Sequence, residues 1–109
     1  LLEDGQIIQG NNQENIAYPS GLCAERVALF HAGAQFPGIA VDLICIVAKG
    51  DLMPISQLLS PCGACRQVML ESENRQNKPI RIILVNQDNR TMCIDSVQNL
   101  LPFGFGTFQ

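Results

Sequence analysis

Three cysteines in two short motifs constrain the fold of this chain more than any other feature. Residues 23–25 are Cys-Ala-Glu and residues 61–65 are Pro-Cys-Gly-Ala-Cys, and each motif stands at the start of a stretch that favours a helix. A Cys-x-x-Cys pair at a helix start places both sulfurs within reach of one metal ion, and a thiolate from a neighbouring helix supplies a third ligand. The sequence therefore predicts a fold in which the beginnings of two helices meet.

The candidate ligands are Cys23, Cys62 and Cys65, and no obvious fourth ligand accompanies them. A catalytic zinc site has three protein ligands and keeps one position open, whereas a structural zinc site closes all four. This pattern favours a catalytic zinc over a structural one. A thioredoxin-like redox role for the Cys-x-x-Cys pair is a further alternative, although it would leave Glu25 without a purpose.

Side chains next to the cysteines are candidates for catalysis and tuning. Glu25 is poorly placed to ligate the ion that Cys23 holds, but it can point at the open position and transfer protons there. Three thiolates make zinc a weaker Lewis acid, and the positive ends of the two helices can temper them. Arg26, one turn from Cys23, and Arg66, next to Cys65, can do the same. We predict that Arg26 tunes the zinc thiolates.

The apolar pattern along the chain alternates between helices and strands. The predicted elements are helices over 21–34 and 62–72, strands over 41–48, 79–85 and 91–94, a short helical connection over 53–59 and a last helical turn over 95–101. This alternation predicts one α/β domain over residues 1–109, with helices covering a sheet. Cys45 and Cys93 fall within strands and are predicted to be buried as small apolar residues. An Asp-Gly turn at 4–5 predicts a hairpin, whose short first strand suggests that residues are missing upstream.

Composition limits the classes of partner. The net charge is −3 and the pI is about 4.9, which argues against binding to a nucleic-acid backbone, because that needs clustered Lys and Arg. No apolar run approaches the roughly 20 residues of a membrane span, so no membrane partner is expected. Five cysteines are an odd number for a disulfide framework and no leader is evident, so a reducing, cytoplasmic location is expected.

Residues 23–26, Cys-Ala-Glu-Arg, and 61–67, Pro-Cys-Gly-Ala-Cys-Arg-Gln, together resemble the cytidine deaminase family in its three-cysteine, homotetrameric branch. The resemblance implies a three-layer α/β/α sandwich around a mixed sheet, of which the N-terminal helix and most of the first strand are absent here. It also implies one Zn²⁺ per subunit and hydrolysis of cytidine or 2′-deoxycytidine to uridine or 2′-deoxyuridine plus ammonia, as in pyrimidine salvage. In that reaction a zinc-bound hydroxide attacks C4 of cytosine and Glu25 shuttles the protons.

The resemblance extends to the loop over 10–19 and to the Leu-Leu-Pro-Phe-Gly-Phe-Gly segment over 100–106. It implies that Asn12 and Glu14 hydrogen-bond the ribose 3′-hydroxyl of the nucleoside. It implies that the Ala24 carbonyl and backbone groups near Ser60 position the base. It implies further that Phe105 reaches into the active site of a neighbouring subunit in a homotetramer.

Two other functions remain open from the sequence. A deaminase of the same fold could act on another cytosine nucleoside such as blasticidin S, although Asn12, Glu14 and Phe105 favour cytidine. A non-catalytic zinc-binding domain would have no need of Glu25. Editing of polynucleotides is disfavoured by the acidic charge.

Overall fold

The computed structural model describes residues 1–48 and 59–106, which form a mixed three-stranded sheet packed against two helices. The elements are α1 (Ala24–Gln35), β1 (Leu43–Val47), α2 (Gly63–Gln76), β2 (Arg81–Val85) and β3 (Thr91–Ile94), with 3₁₀ helices at Tyr18–Ser20 and Val97–Leu100. The central strand, β2, is parallel to β1 and antiparallel to β3. The predicted α/β class with a mixed sheet is confirmed.

Two kinds of connection produce the mixed sheet. Parallel strands need a long crossover, and α2 lies in the connection from β1 to β2. A tight turn joins β2 to β3, and in it the Asn86 Oδ1 atom accepts hydrogen bonds from the N–H groups of Asp88 (3.0 Å) and Arg90 (2.9 Å). In the chain α2 follows β1, and open α/β sheets place their ligands at the carboxyl ends of their strands.

A hydrophobic core lies between the sheet and the two helices. Ile82 and Leu84 of β2 are buried, because a strand directs every second side chain to the same face. The helices contribute the buried residues Leu29, Ala32, Cys65, Met69 and Leu70. The predicted ligand Cys65 is thus packed in the core as well as facing the other cysteines.

The prediction that Cys45 and Cys93 are buried is wrong, since both are exposed. Each of them pairs with Ile83 of β2, so both share the face opposite to the buried Ile82 and Leu84. Apolar residues occupy both faces of these strands, and the sequence therefore did not show which face the cysteines take.

The second helix extends beyond its predicted end at residue 72. It continues to Gln76 and ends at Asn77, which adopts a left-handed backbone with φ of 53° and is typical of a helix terminus. Glu73, in the part of the helix beyond the predicted end, is buried and its carboxylate accepts hydrogen bonds.

The remaining predicted features are partly present. The turn at 4–5 exists, with Gly5 at φ of 93° and its N–H donating to the Leu2 carbonyl at 3.0 Å, but residues 6–8 form no strand. The helical connection over 53–59 lies outside the described residues except for its last position.

Within the described ranges, none of the helices has the length and apolar character that would let it cross a membrane.

Candidate metal centre

The starts of the two helices bring three thiols together. Cys23 is the N-cap residue of α1 and Cys62 that of α2, both with extended backbone, and Cys65 lies in the first turn of α2. The three sulfur atoms lie within 4.8 Å of one another, and those of Cys23 and Cys62 are 3.7 Å apart. Zn–S bonds of about 2.3 Å in a tetrahedron place two sulfurs roughly 3.8 Å apart. The three thiols therefore fit a single zinc ion.

The surroundings of Cys62 favour the thiolate form that zinc binds. Cys62 makes no conventional capping hydrogen bond, yet the backbone N–H of Cys65 lies close enough to lower its pKa. The thiols of Cys65 and Cys23 and the N–H of Ala64 lower the pKa further, against the effect of partial burial. Placement at a helix N-terminus thus prepares Cys62 as a ligand.

Cys65 has the opposite preference. Its side chain is fully buried, and burial raises the pKa of its thiol, as do contacts with Cys62, Glu25 and Cys23. A coordinating thiol is deprotonated, so a bound dication reverses this preference. One exposed and one buried sulfur from α2, with the half-buried sulfur of Cys23 from α1, form a soft thiolate donor set of the kind that zinc prefers.

Glu25 lies beside the sulfurs without being part of the thiol cluster. It is half-buried in the first turn of α1, and its hydrogen bond to the Cys65 thiol helps to raise the pKa of that thiol. Across residues 1–48 and 59–106, no further Cys, His, Asp or Glu completes the cluster as a fourth ligand. A zinc ion held by three protein ligands keeps one position for water or substrate, and Glu25 lies next to the buried ligand candidate Cys65.

Arg26 faces the sulfurs. Its Nη2 atom lies 3.7 Å from the Cys23 sulfur. The hydrogen bond to Cys23 raises the pKa of its guanidinium most, and the hydrogen bond to Cys65 raises it further. Its Nε atom is buried and has no hydrogen-bond partner among the described residues. The cation thus lies against two of the three candidate ligands, as a residue that tempers their charge must.

Arg66 does not share that role. Although it follows Cys65 directly, its guanidinium donates to Ser60 Oγ and to the carbonyl oxygens of Pro61 and Leu100. The sequence suggested two arginines near the thiolates, and the structure places one of them, Arg26, against the sulfurs.

The loop over 10–19 contacts the first turn of α1. Asn12 Oδ1 accepts a hydrogen bond from the Ala24 N–H at 2.9 Å, which caps the helix directly after Cys23. A Cβ atom on Gly10 would lie 2.8 Å from the Ala24 carbonyl oxygen, so only glycine permits this approach. Ala24 is half-buried, and Glu14 is exposed further along the same loop. The structure therefore places Asn12 at the metal-binding helix start, in a capping role that sequence reasoning missed.

Phe105 lies on the C-terminal segment with its residue 68% exposed. Gln67 of α2 holds its backbone from both sides: the Gln67 Nε2 atom donates to the Phe105 carbonyl at 2.7 Å, and the Phe105 N–H donates to Gln67 Oε1 at 3.2 Å. Sequence reasoning missed this clamp, since the two residues are 38 positions apart. The sequence shows that Arg66 and Gln67 are adjacent, but it does not show which distant residues they contact.

Three converging thiols at two helix starts, with a carboxylate beside them, define a zinc-binding α/β protein. The family of the cytidine and deoxycytidylate deaminase zinc-binding region matches residues 1–79, which include all three cysteines and Glu25. The chain therefore belongs to this family, and Zn²⁺ is the metal of its site.

Proteins named cytidine deaminase are similar in sequence to this chain over most of its length. A cytidine deaminase from Sporosarcina psychrophila is 44% identical over 105 residues, covering 96% of this chain and 70% of that relative. One from Halalkalibacterium halodurans is 42% identical over 71 residues, which are 65% of this chain and 49% of that relative. This chain superposes on the crystal structure of cytidine deaminase from Burkholderia pseudomallei with a TM-score of 0.79 at 33% sequence identity. The match covers 96% of this chain and 76% of the Burkholderia chain. The aligned part of this chain thus spans about half the length of the Halalkalibacterium relative.

Proposed function

We propose that the protein hydrolyses cytidine and 2′-deoxycytidine to uridine and 2′-deoxyuridine with release of ammonia, as a zinc-dependent deaminase of pyrimidine salvage. One observation carries the proposal: Glu25 lies against the buried edge of a three-thiol cluster to which the described residues add no fourth ligand. The names of the similar proteins support cytidine as the substrate.

Zinc held by Cys23, Cys62 and Cys65 would lower the pKa of a bound water molecule and so supply a nucleophile near neutral pH. Glu25 would accept a proton from the water that adds to C4 of the cytosine ring. The same carboxyl group would deliver that proton to N3, then take the proton of the new C4 hydroxyl and pass it to the amino group. The C4–N bond would then break, ammonia would leave, and the hydroxyl would become the carbonyl of uridine.

The proposed substrate contacts come from the segments that surround the helix starts. Asn12 uses its Oδ1 atom on the Ala24 N–H, which leaves its Nδ2 group as the donor to the ribose 3′-hydroxyl. Glu14, exposed on the same loop, accepts from that hydroxyl. The Ala24 carbonyl and the backbone near Ser60 position the base.

The proposed assembly is a homotetramer with shared active sites. An aromatic residue that is largely exposed in one chain, as Phe105 is, suits a subunit interface, where aromatic side chains are enriched. The backbone of Phe105 is held by Gln67, so its side chain can be presented in a fixed place to a neighbouring subunit. A reducing compartment such as the cytoplasm suits thiolates that must stay reduced to bind metal.

The test is turnover of cytidine by the wild type and by Glu25→Gln, with zinc content measured in both. We expect Glu25→Gln to keep its zinc and to lose about 10²–10⁴-fold in kcat, because general acid–base catalysis is lost. Glu3→Gln is the matched control, since Glu3 is an exposed carboxylate that contacts Lys78 at 3.9 Å. An active Glu25→Gln protein would overturn the mechanism, and turnover of blasticidin S without turnover of cytidine would overturn the substrate.

A further inference from the structure

Arg66 makes three hydrogen bonds to groups outside α2, two in the turn that precedes the helix and one in the C-terminal segment. It lies in the first turn of α2, and its Nε atom donates to the Pro61 carbonyl at 2.8 Å. Its Nη2 atom donates to Ser60 Oγ at 2.5 Å, and its Nη1 atom donates to the Leu100 carbonyl at 2.8 Å. All three nitrogen atoms of the guanidinium are thus used on acceptors outside the helix.

Two of these acceptors directly precede a metal ligand. Ser60 and Pro61 lead into Cys62, whose backbone is extended and whose sulfur must reach the other two. This stretch belongs to no helix or strand, so no regular ladder of hydrogen bonds fixes it. The guanidinium is planar and rigid, and it therefore holds the Ser60 hydroxyl and the Pro61 carbonyl at a set spacing from α2.

The third acceptor connects the site to the C-terminal segment. Leu100 ends the second 3₁₀ helix and lies 34 positions from Arg66. The segment beyond it leads to Phe105, whose backbone the neighbouring Gln67 holds. One side chain thus fixes both the approach to Cys62 and the start of the segment that carries Phe105.

We propose that Arg66 is a positioning residue for the metal site: it fixes the Cys62 ligand by holding Ser60 and Pro61, and it links that turn to the C-terminal segment. Its role differs from that of Arg26, because its guanidinium is directed at neutral oxygen atoms and not at the sulfurs. Geometry and not charge is therefore the property that Arg66 supplies. The inference rests on the proposed function only for its link to turnover, since metal binding tests it independently.

The experiment compares Arg66→Gln, Arg66→Lys and the control Arg75→Gln. Arg75 lies on the same helix, is exposed, and contacts Glu71 at 3.9 Å. Zinc-loaded proteins are mixed with an excess of a chromogenic zinc chelator, and the rate of zinc transfer is measured. We expect zinc transfer to be about 10-fold faster or more in both Arg66 variants, because the loss of a residue that orients a metal ligand weakens metal binding by about that factor. We expect zinc transfer to be unchanged in Arg75→Gln. Lysine keeps the charge but not the fork, so it is not expected to restore slow transfer.

The absorption spectrum of the Co²⁺-substituted protein separates positioning from a merely structural role. Its visible bands report the arrangement of the ligands, and we expect them to shift in Arg66→Gln and Arg66→Lys. A lowered melting temperature with an unchanged Co²⁺ spectrum and unchanged zinc transfer would overturn the proposal. Wild-type behaviour of Arg66→Lys would also overturn it, because charge alone would then suffice.

A milder variant keeps the test decisive if the Arg66 variants fail to fold. Ser60→Ala removes one of the three acceptors and leaves the guanidinium in place. We expect a smaller acceleration of zinc transfer in the same direction, and the absence of any acceleration would overturn the proposal. If the protein binds zinc but deaminates no nucleoside, the proposed function fails while these metal measurements still decide the role of Arg66.

Discussion

Glu73 is a buried acid that joins three elements. It is 5% exposed, and its Oε2 atom accepts hydrogen bonds from the N–H groups of Ile80 at 2.8 Å and Val97 at 2.9 Å. Its Oε1 atom accepts from Ser96 Oγ at 2.8 Å. A buried carboxylate is tolerated when its oxygens are satisfied, so Glu73 fastens α2 to the start of β2 and to the second 3₁₀ helix.

Glu73→Ala is expected to destabilise the fold much more than Glu73→Gln. Alanine leaves two buried N–H groups without an acceptor, at about 1–3 kcal/mol each in the free energy of unfolding. Glutamine can keep its oxygen on both N–H groups and donate from its nitrogen to the Ser96 hydroxyl. Urea denaturation of the two variants measures the difference. Equal losses would show that the bonded oxygen is not what matters.

Arg26→Gln is expected to move the acidic limb of the kcat/KM–pH profile to higher pH. The guanidinium lies 3.7 Å from the Cys23 sulfur. In the predicted tuning role it would draw charge from the thiolates, which otherwise weaken zinc as a Lewis acid. The profile is measured with zinc content determined in parallel, and Arg75→Gln, at an exposed arginine that contacts Glu71 at 3.9 Å, serves as the control. An unchanged profile at unchanged zinc content would contradict the tuning role.

At the scale of elements, α2 holds the C-terminal segment through the two hydrogen bonds between Gln67 and the Phe105 backbone. Gln67→Ala removes both, and we expect the Phe105 amide to exchange hydrogen about 5- to 10-fold faster, since one such bond contributes about 1 kcal/mol. We also expect turnover to fall, because the proposed shared site needs Phe105 in place. Gln35→Ala, at the exposed end of α1, is the control. Unchanged exchange at Phe105 would mean that other contacts hold the segment.

Features that depend on neighbouring residues were predictable from the sequence, and features that depend on distant partners were not. The spacing of Cys62 and Cys65 at a helix start predicts converging sulfurs, and the structure brings them together. The end of α2 was placed too early because the partners of Glu73 lie beyond that helix. The capping of α1 by Asn12 and the contacts of Arg66 depend likewise on residues remote in the chain, for which no local pattern exists.

At the scale of the whole molecule, a zinc ion held by the three thiols would cross-link α1 to α2. Cys23 belongs to the start of α1 and the other two candidate ligands to the start of α2, so the metal would fasten together two elements that are far apart in the chain. A metal that binds the folded state stabilises it in proportion to the logarithm of its concentration over Kd, by about 4 kcal/mol at 1,000 Kd. The order of the whole fold should therefore depend on the metal.

Removal of zinc with a strong chelator is expected to lower the melting temperature by roughly 10 °C or more, because each kcal/mol shifts the melting temperature of a domain of about 100 residues by about 4 °C or more. Cys62→Ser, which loses a ligand, is expected to melt lower than the wild type before treatment and to respond less to the chelator. Cys45→Ser is the matched control, since Cys45 is an exposed thiol outside the cluster, and it should keep the full response. Differential scanning calorimetry at fixed protein concentration measures all three. An equal response from the wild type and Cys62→Ser would mean that the stabilising metal is held elsewhere in the protein.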